Sequence, residues 1–113
     1  MKMIKLSIDF SKVKTINDFH HEMNLLFGFP DFYGRNFHAF IDCLTSLRFP
    51  EDGMTNVHIE QDECILLEVM NINSVSSDIR HDFFLSIQAI NGRCISYGEN
   101  ASILLLLCEP PRY

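Results

Sequence analysis

Two short apolar runs limit the folds open to this chain more than any other feature: CILLEVM at Cys64–Met70 and ASILLLLC at Ala101–Cys108. Both fall far short of the roughly 20 apolar residues that span a bilayer. Nearly continuous apolar runs of this length are the pattern of strands buried in a mostly parallel sheet. MIKLSI, at Met3–Ile8, alternates apolar and polar residues and predicts a further strand with one face on the core. Helical stripes separate the three. Thr15 caps the first helix, with Asp18 at its third position in a near capping box. Ile16, Phe19, Met23 and Leu26 form its apolar side, and Gly28 and Pro30 end it.

A second helix starts near Gly34–Asn36, with Asn36 as its cap, and Phe37, Phe40, Leu44 and Leu47 turn to the core. A third starts at Ser76, Ser77 and Asp78, carries Ile79, Phe83, Phe84, Ile87 and Ile90, and closes at Asn91–Gly92. ISYGEN predicts a turn or a short extra strand, and Pro110–Pro111 stops the last strand. Strand, helix, helix, strand, helix, strand is the order of a small α/β layer with a mostly parallel sheet and right-handed crossovers.

At 113 residues the expectation is one domain, 1–113, with a single core burying about two thirds of the unfolded surface. Net charge is −6, unevenly spread: all four lysines lie in the first 14 residues, and from Thr15 onward 14 acids face five arginines, a balance of −9. Such a body repels phosphate backbones, which argues against nucleic-acid binding, and favours encounter with a basic protein. MKMIKLSIDF is not a secretion signal, and no run suits a membrane, so a cytoplasmic protein is expected. Cys43, Cys64, Cys94 and Cys108 contain no C-x-x-C pair, so reduced thiols are expected rather than a zinc site or disulfide framework.

The stretch PDFYGRNFHAFIDCLTSL holds the most chemistry. His38, Asp42 and Thr45 share a face at helical spacing, with Ile41 on its border. Asp is a poor residue for a helix interior, so Asp42 calls for a reason outside the helix. A base and its orienter, His38 and Asp42, would make a small hydrolase, but no phosphate loop, nucleophile elbow or metalloprotease motif joins them. His20, His21, His58 and His81 lack chelating spacing and are expected to be solvated. Recognition of a protein fits better: Phe32 and Tyr33 in a loop beside a fixed charge on a rigid helix are the ingredients of an interface hot spot.

Pro30, Phe32–Tyr33, Gly34, Asn36 and Asp42–Cys43–Leu44–Thr45, preceded by INDFHHEM, resemble the barstar family of ribonuclease inhibitors, in register over Ile16–Leu47. The resemblance implies a layer of three mostly parallel strands packed with three to four helices, no catalytic residues, no cofactor and no metal. It also implies a mechanism for Asp42. The second helix and its preceding loop press into the active site of a basic ribonuclease or nuclease toxin, and the carboxylate takes the place of an RNA phosphate. The expected partner-binding residues are Phe32, Tyr33, Gly34, Asn36, His38, Ile41, Asp42, Thr45, Ser46 and Leu47, on a protein that is monomeric when free. An immunity protein for a toxin other than a barnase-like ribonuclease is the alternative.

The chain departs from the family pattern in ways that bear on the partner. Phe32 stands where the family's founding inhibitor has a Tyr, Arg35 and His38 where it has acids, and Ile41 and Leu47 where it has tryptophans. Between Phe32 and Arg48 the formal charge is +1, from Arg35 and Arg48 against Asp42. The acidic weight lies instead in the loop and strand from Phe49 to Glu68, with six acids and no Lys or Arg. That shift predicts an inhibitory role with a different nuclease, the acidic loop steering or extending the contact.

Overall fold

The computed structural model describes residues 1–109; the stop expected at Pro110–Pro111 lies outside them. Strands β1 (Lys2–Asp9), β2 (Glu63–Met70) and β3 (Ile103–Cys108) form one sheet, with β2 central and both pairings parallel. Helices α1 (Ile16–Phe27), α2 (Phe37–Thr45) and α3 (Ser77–Ser96) complete the expected α/β order.

The register shows which face each strand commits. Ile4, Ile65 and Ile103 align across the sheet, as do Leu6, Leu67 and Leu105, and these rows pack into the helical core. The alternate rows, Lys5–Leu66–Leu104 and Ser7–Glu68–Leu106, lie on the other face. β3 is therefore not the core strand its composition predicts. It is an edge strand: Leu104 and Leu106 are exposed because no element among the described residues covers that face, and Leu107, in the core-side row with Ile8 and Val69, is exposed at the open edge of the sheet.

Phe19 is the hub of the core. Its ring lies 5.2–6.1 Å from those of Phe10, Phe37, Phe40 and Phe83, so one α1 side chain ties together all three helices and the turn after β1. The pairs with Phe10, Phe40 and Phe83 are edge-to-face, a geometry that adds about 0.5–1.5 kcal/mol each beyond burial. The expected capping box of Thr15 and Asp18 is formed. The buried side of α1 is turned from the expected stripe: Phe19, His20, Met23 and Phe27 are inside, while Ile16 is exposed. Gly28 ends the helix at φ +70, and a Cβ there would meet Asn56 Cγ and Cβ at 2.8 and 2.9 Å. Asn56 is held in place by its own backbone N–H, which donates to the Phe27 carbonyl at 2.8 Å. Gly28→Ala should therefore cost about 2 kcal/mol of stability, combining left-handed strain and overpacking; urea denaturation reads the loss.

α3 runs through Asn91–Gly92, where the local signal predicts its end. Asn91 does not stop the helix because its side chain serves β3: Oδ1 accepts from Ser102 and Ile103 N–H at 3.0 Å each, and Nδ2 donates to the Ile103 carbonyl at 2.8 Å. Cys94, buried one turn on, extends the apolar side. ISYGEN is accordingly the last turn of α3 and a turn at Gly98, with no extra strand.

Arg48 is the largest departure. Its side chain is 1% exposed, so it belongs to the core rather than to the charged surface around α2. Its guanidinium donates to the carbonyls of Glu60, Glu63 and Asn100 at 3.2, 2.8 and 2.9 Å, and it pairs with Glu99 at 3.5 Å. One cation thus fastens the segment after α2 to the start of β2 and the approach to β3.

Candidate functional site

The chain enters α2 through Arg35, held at φ +53, and Asn36, whose Oδ1 accepts from Ala39 N–H at 2.8 Å. A non-glycine residue in the left-handed region carries about 1–2 kcal/mol of strain, so the surrounding contacts must enforce this turn. Phe40, Cys43 and Leu44 lock the inner face of α2 against the core. Burial, with a smaller contribution from Asp42, pushes the Cys43 thiol up to about 11, so it stays protonated as a packing residue. The opposite face then carries His38, Ile41, Asp42 and Thr45 on a helix that cannot easily turn.

Asp42 is outward: its side chain is 57% exposed. It is not free. Arg93, from the last part of α3, donates through Nη1 to Asp42 Oδ1 at 2.7 Å, with 43% of its own side chain exposed. An ion pair this open contributes about 0–1 kcal/mol. No feature of the sequence near Asp42 announces it, because the partner lies 51 residues away on a helix that local signals end too early. With Arg48 buried, the exposed charge of this region comes from Arg35 and Arg93 against Asp42.

The preceding loop divides its two aromatics. Phe32 is 76% exposed. Tyr33 is half-buried, its ring 4.4 Å from that of Phe29 and its hydroxyl 2.6 Å from Nδ1 of His20. His20, expected to be solvated, is 1% exposed beneath Phe19, Tyr33 and Phe37. Desolvation, followed by the nearby Arg35 charge, lowers the His20 pKa, so the ring stays neutral at pH 7. Burial likewise lifts the Tyr33 phenol well above its usual value. The pair anchors the loop: Tyr33 is the post and Phe32 the ring it holds outward. His21, His58 and His81 are exposed, as expected.

Of the other residues singled out, Gly34, Asn36 and His38 are exposed, and Ile41, Thr45 and Ser46 are half-buried. Thr45 Oγ1 donates to the Ile41 carbonyl at 2.7 Å. Leu47, at 1% exposed, packs in the core and offers no contact surface. Beyond Asp42 the face continues into a groove of ≈ 430 Å³ lined by Thr45, Ser46, Phe49, Asp52, Tyr97 and Glu99. Through Asp52 the acidic loop adjoins the end of α2. Tyr97, exposed at the C-cap of α3, carries no signal in the sequence that marks it for this groove.

The His38–Asp42 pairing that the hydrolase alternative needs is not formed. Among the described residues Asp42 bonds to Arg93 and not to His38. No cluster of three or more His, Cys, Asp or Glu side chains suited to a metal occurs there. No helix among them is long and apolar enough to cross a membrane.

No curated protein matches the chain. The family model described as Barstar (barnase inhibitor) matches residues 3–90, which takes in β1, α1, α2, β2 and most of α3. With the parallel three-stranded sheet and the exposed α2 carboxylate in place, that match over most of its length makes the chain a member of the barstar family of barnase inhibitors.

Proposed function

We propose that the protein inhibits a small basic ribonuclease, as an immunity protein in the cell that makes the nuclease, by placing α2 and the loop before it in the enzyme's active site. The single observation that carries this reading is Asp42: a carboxylate projecting from a helix locked by Phe40, Cys43 and Leu44, in a member of an inhibitor family. A ribonuclease cleft gathers cations to hold phosphate, and a fixed carboxylate satisfies the same donors with charge-assisted bonds. Phe32, held out by the Tyr33–His20 anchor, supplies apolar contact on one side. The acids at Glu51, Asp52, Glu60 and Asp62, all exposed, raise the encounter rate with a basic enzyme.

The test is an RNA cleavage assay with the purified protein, alone and mixed with barnase-type ribonucleases. The expected result is no cleavage by the protein itself and stoichiometric suppression of a ribonuclease. Cleavage by the protein alone, or full nuclease activity in every mixture, rejects the reading.

A further inference from the structure

The Arg93–Asp42 pair sits at the point where the proposed contact needs a bare anion. A cleft that binds Asp42 through cations also receives the Arg93 guanidinium, 2.7 Å from Asp42 Oδ1. The carboxylate and guanidinium cancel in formal charge. Like charges brought together in a partly desolvated interface repel strongly, because the effective dielectric there falls well below that of water. Binding therefore requires Arg93 to swing away and give up its bond, which its open position allows at small cost. The same residue stands where nothing else demands a cation: Arg93 makes no other side-chain hydrogen bond among the described residues, whereas Arg48 and Arg80 bond elsewhere.

We propose that Arg93 is a specificity-determining residue, an internal counter-ion that withholds Asp42 from ribonuclease clefts whose cations do not outcompete it. Selection by a repulsive element of this kind rejects near-fitting partners at little cost in fold stability. The inference rests on the inhibitory reading above and adds to it a filter on which nucleases are accepted.

The experiment measures inhibition constants and association rates against a panel of barnase-type ribonucleases. The proteins compared are wild type, Arg93→Gln, Arg93→Lys, Arg80→Gln and the double variant Asp42→Asn/Arg93→Gln. Arg80→Gln makes the same change in net charge near the start of α3, roughly 20 Å away along the helix. Arg93→Gln should bind at least fivefold tighter and associate faster. Arg93→Lys should stay near wild type, Arg80→Gln should change less than twofold, and the gain should vanish when Asp42 is Asn. Equal or weaker binding by Arg93→Gln overturns the proposal, as does a comparable gain from Arg80→Gln or a gain that survives loss of Asp42. If wild type inhibits through Asp42 and Arg93→Gln merely matches it, this inference alone falls. If neither protein inhibits any ribonuclease, the functional reading falls and takes the inference with it.

Discussion

Arg48→Ala should lower the free energy of unfolding by about 3–5 kcal/mol, a large share of what a domain of this size has. The guanidinium is buried and its N–H groups are spent on the carbonyls of Glu60, Glu63, Asn100 and Ala101 and on the Glu99 carboxylate. Removing it leaves several buried acceptors without donors, each costing about 1–3 kcal/mol where water cannot reach, and opens a cavity between three segments. Arg48→Lys restores the charge but not the fork, so it should recover only part of the loss. Urea denaturation of the three proteins decides the matter; a loss under about 1 kcal/mol for Arg48→Ala would show that water reaches these carbonyls freely.

Asp42→Ala is expected to weaken binding to an inhibited ribonuclease by about 2 kcal/mol or more, on the order of thirtyfold. Part of that loss is the enzyme's own, since its cations are left buried without an anion. The fold should scarcely notice. The Arg93 pair is exposed and weak, and Ala is the better helix residue. Titration calorimetry or steady-state inhibition measures the first effect and urea denaturation the second. Unchanged affinity with an intact fold would remove Asp42 from the contact.

What could be read in the sequence follows the range of the forces involved. The strand and helix order, the Thr15–Asp18 box and the Asn36 cap depend on neighbours within four residues, and all are present. The outward turn of Asp42 follows from its spacing against Phe40 and Leu44. The burial of Arg48 and His20, and the bond between Asp42 and Arg93, depend on partners 12 to 53 residues away, which no local pattern encodes. The length of α3 was within reach: Cys94 continues the spacing of Phe83, Ile87 and Ile90, a stronger signal than Asn91–Gly92. That spacing carries the helix through Arg93, beside α2, and to a cap at Tyr97.

The carbonyls around Arg48 have a consequence for how the chain assembles. They come from Glu60 and Glu63 at the entry to β2 and from Asn100 and Ala101 after α3, so the cation is fully answered only when both crossovers are made. A parallel sheet whose middle strand pairs with Lys2–Asp9 on one edge and Ile103–Cys108 on the other is dominated by distant contacts, which slow folding. In a growing polypeptide the Glu60 and Glu63 carbonyls can reach the guanidinium early, but its set of acceptors is complete only once the chain through Ala101 has emerged, so the buried cation is the last joint of the fold to be filled.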